Sequence, residues 1–225
     1  MKTSFWATVR AILQKEAQAE FRTRELFSVM LVFALLSVLV FSFALELDRL
    51  LRREAVAGVL WVTVVFASVL GLNRSMAQER ENGGMDALLL APIPRVAIFV
   101  GKWLANYAIT LVIGLMLLPL MTVLYNVTMI TPHSLMILLL GVGGICTVGT
   151  LLSAMTVQAR GGESLLPIVL LPVALPLLMA CVRATTGILT GAPQADWEGW
   201  LPILAGIVLF YLAVCAFTFG MVLEE

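Results

Sequence analysis

The residues able to do chemistry in this chain are few, and they are badly spread for it. One histidine, His133, stands in the stretch MITPHSLM. A single imidazole could ligate an iron, but a lone histidine between two apolar runs is also an ordinary polar loop residue. Cys146, Cys181 and Cys215 lie far apart inside apolar runs and form no CxxC. They read as small packing residues, with a disulfide or a metal site as the alternatives. No Walker A loop occurs, because Gly101-Lys102 lacks the upstream glycine and the following Ser or Thr that such a loop needs. There is no nucleophile elbow, no HExxH and no CxxCH. No acid, base or histidine falls in the middle of a long apolar run, where a proton-coupled carrier keeps its relay. The chain therefore reads as non-catalytic, and any work it does draws its energy from another molecule.

The densest polar chemistry is AQERENGGMDALLLAPIPR, Ala77 to Arg95, with five charges, two adjacent glycines and two prolines between apolar runs. Its pattern suits docking. Gly83 and Gly84 permit a sharp reversal after a helix. MDALLLA can form about two helical turns, with Met85, Leu88 and Leu89 on one face at i, i+3 and i+4. Pro92 disfavours helix at Ala91, and Pro94 suits the first turn of the next helix. A short helix with one apolar face needs a cover. Either a separate partner supplies it, or the helix folds back onto its own protein or onto lipid.

What must position this segment is a membrane protein. The chain has 225 residues, 61% apolar and only 12% charged, against about 25% charged in a soluble domain. Six runs approach or exceed the ~20 apolar residues that cross the hydrocarbon as a helix: Phe27–Leu45, Ala55–Leu72, Ile98–Tyr125, Leu135–Val157, Leu165–Val182 and Leu201–Leu223. Helix is favoured because no backbone group can stay unpaired in lipid, and the runs are too continuous for alternating barrel strands. The expected fold class is an all-α integral membrane protein of one domain, residues 1–225, with 73–97 as the segment between spans two and three. Residues 1–26 precede the first span and are too long and polar for a signal peptide. Within them Phe5, Val9, Ile12 and Leu13 recur at helical spacing, with Arg10, Gln14, Lys15 and Gln18 on other faces. That pattern predicts an amphipathic helix on the membrane surface, with Trp6 near the headgroups.

Lys and Arg set the orientation. With the N-terminus inside, ten fall inside (Lys2, Arg10, Lys15, Arg22, Arg24, Arg74, Arg80, Arg95, Lys102 and Arg160) and four outside (Arg49, Arg52, Arg53 and Arg183). Both termini are thus predicted inside, with Arg49, Arg52 and Arg53 as the counter-signal beside Glu46, Asp48 and Glu54. Trp197 and Trp200 fit an aromatic belt at the outer interface. Gly143 and Thr147, Gly149 and Ser153, and Thr150 and Ala154 are small pairs four apart that let helices approach, within one protomer or between two. Pro167, Pro172 and Pro176 predict a bent fifth span.

The stretch ERENG, followed by LLLAPIPR and a GK, resembles the segment between spans two and three of ABC-2-type transporter permeases. FRTRELFSVMLVFALLSVLVFSFAL, GVLWVTVVFASVLGLNRSMAQERENGG, LLLAPIPRVAIFVGKWLANY and ARGGESLLPIVLLPVALPLL, in this order, resemble more narrowly the CcmB family, the haem exporter permeases of cytochrome c maturation. The resemblance implies an ABC-2-type permease architecture in the bacterial inner membrane. It implies a coupling helix that docks into a separate ATP-binding subunit (CcmA type). The coupling residues carried over are Glu79, Glu81, Asn82, Gly83, Met85, Leu88, Leu89, Pro92 and Arg95, with Gly84 a departure that loosens the turn. The implied partners are a second copy of the chain, haem-handling membrane subunits (CcmC and CcmD types) and a periplasmic haem chaperone (CcmE type). ATP would act through the partner and haem would be cargo, not a resident cofactor. His133 is the one weak haem candidate, and no span holds a ligand pair, which favours a mechanical role. An exporter of another cargo (lipid, drug or glycan) and a non-transporting scaffold are the competing readings.

Overall fold

The computed structural model describes residues 5–44, 49–81, 94–156 and 162–222. These form helices α1 (Phe5–Thr23), α2 (Glu25–Ala44), α3 (Arg49–Glu81), α4 (Arg95–Tyr125), α5 (Pro132–Thr156), α6 (Gly162–Thr190), the short α7 (Gln194–Trp197) and α8 (Trp200–Val222). Six stretches are long and apolar enough to cross a membrane: Glu25–Ala44, Ala55–Ser75, Arg95–Tyr125, Pro132–Met155, Leu165–Thr190 and Gln194–Phe219. With no strand among the described residues, this is an all-α multi-pass membrane protein. α3 has 33 residues, about 50 Å at the helical rise, so it outruns a hydrocarbon core of about 30 Å. It passes Leu72 without a break and carries the chain out of the bundle to Glu81.

Two helices form the centre. Over an apolar stretch of 18 residues in each, 72% are buried in α3 and in α5, against 17% in the α7–α8 span and 22% in α2. The small residues of α5 explain why it can sit there. At Gly141 the Trp61 ring occupies the space a side chain would need, and Cys181 Sγ lies 2.7 Å from an ideal Cβ. Gly149 takes Leu72 in the same way, and Gly144 takes Leu177 at 2.5 Å. Of the small residues four apart, Gly149 thus packs within the protomer, against Leu72 of α3. Cys146, Cys181 and Cys215 are free and buried.

Long polar ties fasten the half of the bundle nearer the α4–α5 connection. Trp61 donates its indole N–H to Thr185 Oγ1 at 3.1 Å, and Tyr125 donates its O–H to the Val38 carbonyl at 3.1 Å. α4 ends at Asn126, which adopts the left-handed conformation (φ 52°) that Asn tolerates at such a stop. Pro167, Pro172 and Pro176 all lie inside one continuous α6.

Three surface expectations meet a different arrangement. The Val9 and Ile12 face of α1 is buried on the protein itself, at 2% and 5% exposure, because α1 docks along α4. Trp6, at 71% exposure, lies off that face. Trp197 is buried, not spread in an outer belt: its ring fills the space beside Gly187, 2.7 Å from Cγ to an ideal Cβ there. His133 is the second residue of α5 and not part of a loop.

Candidate functional site

An ion pair and several hydrogen bonds tie α1, α2 and α3 together at the end of the bundle where α3 ends and α4 begins. The start of this end is a corner of one residue. Arg24 takes a left-handed φ of 54° between α1 and α2, and the corner is tied down on both sides. The Glu20 carboxylate accepts the Phe27 backbone N–H at 2.9 Å, which satisfies one of the open donors at the α2 N-terminus and places negative charge where the helix dipole favours it. Ser28 donates its hydroxyl to the Arg24 carbonyl at 2.5 Å.

Directly after this corner stands Glu25, the first residue of α2. Its Oε1 accepts from the Arg74 guanidinium, and its Oε2 accepts from Gln78 Nε2 at 3.1 Å. Arg74 and Gln78 are four apart and so share one face of α3. One carboxylate thus grips two successive turns of the helix that leads to Glu81. Both partners of the ion pair are more than a third exposed, so the pair fixes geometry more than it adds stability.

The returning helix is held by the same corner's other arm. Ile12 of α1 sits so close on Gly101 that an ideal Cβ there would lie 2.9 Å from its Cβ and Cγ2. Ile12 also joins Ile98, Phe99, Leu151, Ala154, Cys215 and Phe219 in a second apolar cluster apart from the main core. Within it Phe99 and Phe219 pack with ring centroids 5.2 Å apart. This cluster ties α1, the first turns of α4, and the last turns of α5 and α8. Both flanks of residues 82–93 are therefore anchored to the α1–α2 corner.

Of the residues expected to dock a partner, Glu79 and Glu81 lie on the last turn of α3, and Arg95 opens α4 half-buried. Asn82, Gly83, Met85, Leu88, Leu89 and Pro92 lie outside the described residues. His133 is exposed at the opposite end, edge-on to Trp197 with ring centroids 5.2 Å apart and planes at 77°. It is not part of any group of three or more His, Cys, Asp or Glu that could hold a metal among the described residues. Sequence reading missed Glu20, Glu25, Arg74 and Gln78. A signal for half of the joint was present, since Arg74 and Gln78 form a polar i, i+4 pair where an apolar helix ends.

Residues 7–225 match the family model described as CcmB protein. Among similar proteins, the Heme exporter protein B of Rhodobacter capsulatus is 30% identical over 212 residues, 93% of this chain and 95% of that one. That of Pseudomonas aeruginosa is 27% identical over 199 residues, covering 88% and 89% of the two chains. The Escherichia coli K12 protein of the same name is 27% identical over 216 residues, covering 91% and 90%.

Proposed function

The chain belongs to the CcmB protein family, and from that premise we propose that it is the membrane permease subunit of a haem exporter serving cytochrome c maturation. A separate ATP-binding subunit (CcmA type) supplies the energy, and residues 73–97 are where that subunit pushes. One observation carries the coupling part of this reading: α3, longer than a hydrocarbon core requires, is held near its end by Glu25, and α4 is held near its start by Ile12, so both are braced by the α1–α2 corner. A segment slung between two such helices is placed to hand a push to the bundle, while a segment between loose ends would absorb it. Met85, Leu88 and Leu89 form the apolar docking face, with Glu79, Glu81 and Arg95 at its rim, and Asn82, Gly83 and Pro92 shaping the turn and stop.

The assembly contains a second copy of this chain, the haem-handling membrane subunits (CcmC and CcmD types) and the periplasmic haem chaperone (CcmE type). It sits in the bacterial inner membrane with both termini cytoplasmic. The only histidine stands at the very end of a span, beside Trp197, and not in the middle of one. That favours ATP-driven release of the haem-loaded chaperone over carriage of haem along a path of ligands through this subunit.

Replacing Leu88 and Leu89 together by Glu tests the docking site. The expected result is that the variant reaches the membrane but no longer co-purifies with the ATP-binding subunit. Undiminished co-purification would move the docking site elsewhere. An ATP-binding subunit unable to hydrolyse ATP should likewise stop c-type cytochrome assembly; unimpaired assembly would leave the chain a scaffold.

A further inference from the structure

We infer that Glu25, with Arg74 and Gln78, is the joint through which a push on the 82–93 segment reaches the membrane bundle, and that the inner half of α3 is built to move about it. The inference rests on the coupling reading above. Three observations converge on the joint. The first is the grip itself, one carboxylate holding two turns of α3 at the point where that helix ends its apolar stretch at Ser75.

The second is what lies just above it. A cavity of about 10 Å³ separates α2, α3 and α4, lined by Leu26, Met30, Gly71, Leu72, Asn106 and Thr110 among others. Leu26 follows Glu25 in the chain, and Gly71 is one turn from Arg74. An ideal Cβ at Gly71 would lie 2.5 Å from Met30 Sδ, so here the two helices touch through a glycine and a flexible thioether. A gap of this size is about that of a single water.

The third is the state of the polar groups on this half of α3. Asn73 Oδ1 is buried without a hydrogen-bond partner. Ser68 Oγ is buried without a hydrogen-bond partner as well. The outer half, by contrast, has the Trp61–Thr185 and Tyr125–Val38 bonds. Thr63 Oγ1, in the outer half, is buried without a partner as well, so what distinguishes the two ends is the Trp61–Thr185 tie at one and the Glu25 grip at the other; a helix held from outside at these two points is arranged as a lever. Glu25 is then a positioning residue that makes α2 follow α3.

The test uses the complete complex in native-like membranes, with Glu25→Gln and the charge exchange Glu25→Arg plus Arg74→Glu. Three quantities are read: retention of the ATP-binding subunit, ATP hydrolysis, and assembly of c-type cytochrome. Glu25→Gln should keep the subunit and its hydrolysis, while cytochrome assembly falls between about 2-fold and about 30-fold, the span of coupling losses along such a network. The charge exchange should restore most of that loss, which a merely misfolded or destabilised chain would not do. Arg74→Gln reaches the same joint from α3 should Glu25→Gln not accumulate. Full assembly in both single variants would overturn the inference, as would loss of the ATP-binding subunit from them or no recovery in the exchange. Failure of the unmodified chain to hold any ATP-binding subunit would instead sink the coupling reading, and the joint with it.

Discussion

At the scale of single residues, the half of the bundle nearer the α4–α5 connection depends on a few contacts between groups far apart in the chain. Thr185 is buried at 2% exposure, and its hydroxyl accepts the Trp61 indole N–H at 3.1 Å. Thr185→Val keeps the shape and strands the indole N–H. The expected loss is about 1 kcal/mol, since an unmade buried bond costs this much and interhelical bonds in membranes are of modest worth. Unfolding of the detergent-solubilised protein by graded SDS would read it. Adding Trp61→Phe should cost less than the sum of the two single changes, because the bond can be lost only once. Gly141→Val acts in the other direction, by overfilling. Its side chain would meet the Trp61 ring and Cys181 Sγ together, and both are buried. A loss of about 1–3 kcal/mol is expected in the same assay, whereas Gly206→Ala, which meets nothing within 4 Å, should cost far less.

At the scale of elements, the docking of α1 makes a sharper prediction. Gly101→Leu would drive a side chain into Ile12 and lift α1 from α4. Amide exchange over residues 5–23 should then rise while α3 stays protected, because its own apolar contacts lie in the main core. Trp6→Ala, on an exposed position, should leave α1 as protected as before. The spans themselves were legible in the sequence because lipid imposes a length and an apolar composition that any chain must display. Their ends were less so: α6 runs on past Val182 to Thr190 because RATTGILT still satisfies helical bonding, and it stops only at Gly191 (φ 70°) before Pro193. The face of α1 that finds a cover could be read from its periodicity, but which surface covers it could not. Lipid and α4 offer the same apolar welcome to Val9 and Ile12, and Gly101 is what lets α4 come close enough. The Trp197 pocket fails for a related reason, since Gly187 belongs to another helix. The Glu25–Arg74 pair spans 49 residues, and nothing local in either stretch announces the other.

At the scale of the whole molecule, the remaining question is which way the bundle faces, because the proposed docking of an ATPase depends on it. The charge count places ten Lys and Arg on the side of the N-terminus and four on the other, and cytoplasmic loops collect such residues. The bundle supports the same division, since Ile12 of α1, the start of α4, and the ends of α5 and α8 meet in one cluster. The three arginines at the α2–α3 connection oppose it, so the orientation is worth measuring. Alkaline phosphatase fused between α4 and α5, within residues 126–131, should be active, and a fluorescent protein fused after Glu225 should fluoresce. The reverse pattern would put residues 82–93 on the face away from cytoplasmic ATP, and no ATP-binding subunit could then reach them. A matching pattern would put the Glu25 joint, the second apolar cluster and the proposed docking face together on the side where ATP is made available, with His133 and Trp197 on the side where a haem-loaded chaperone would be found.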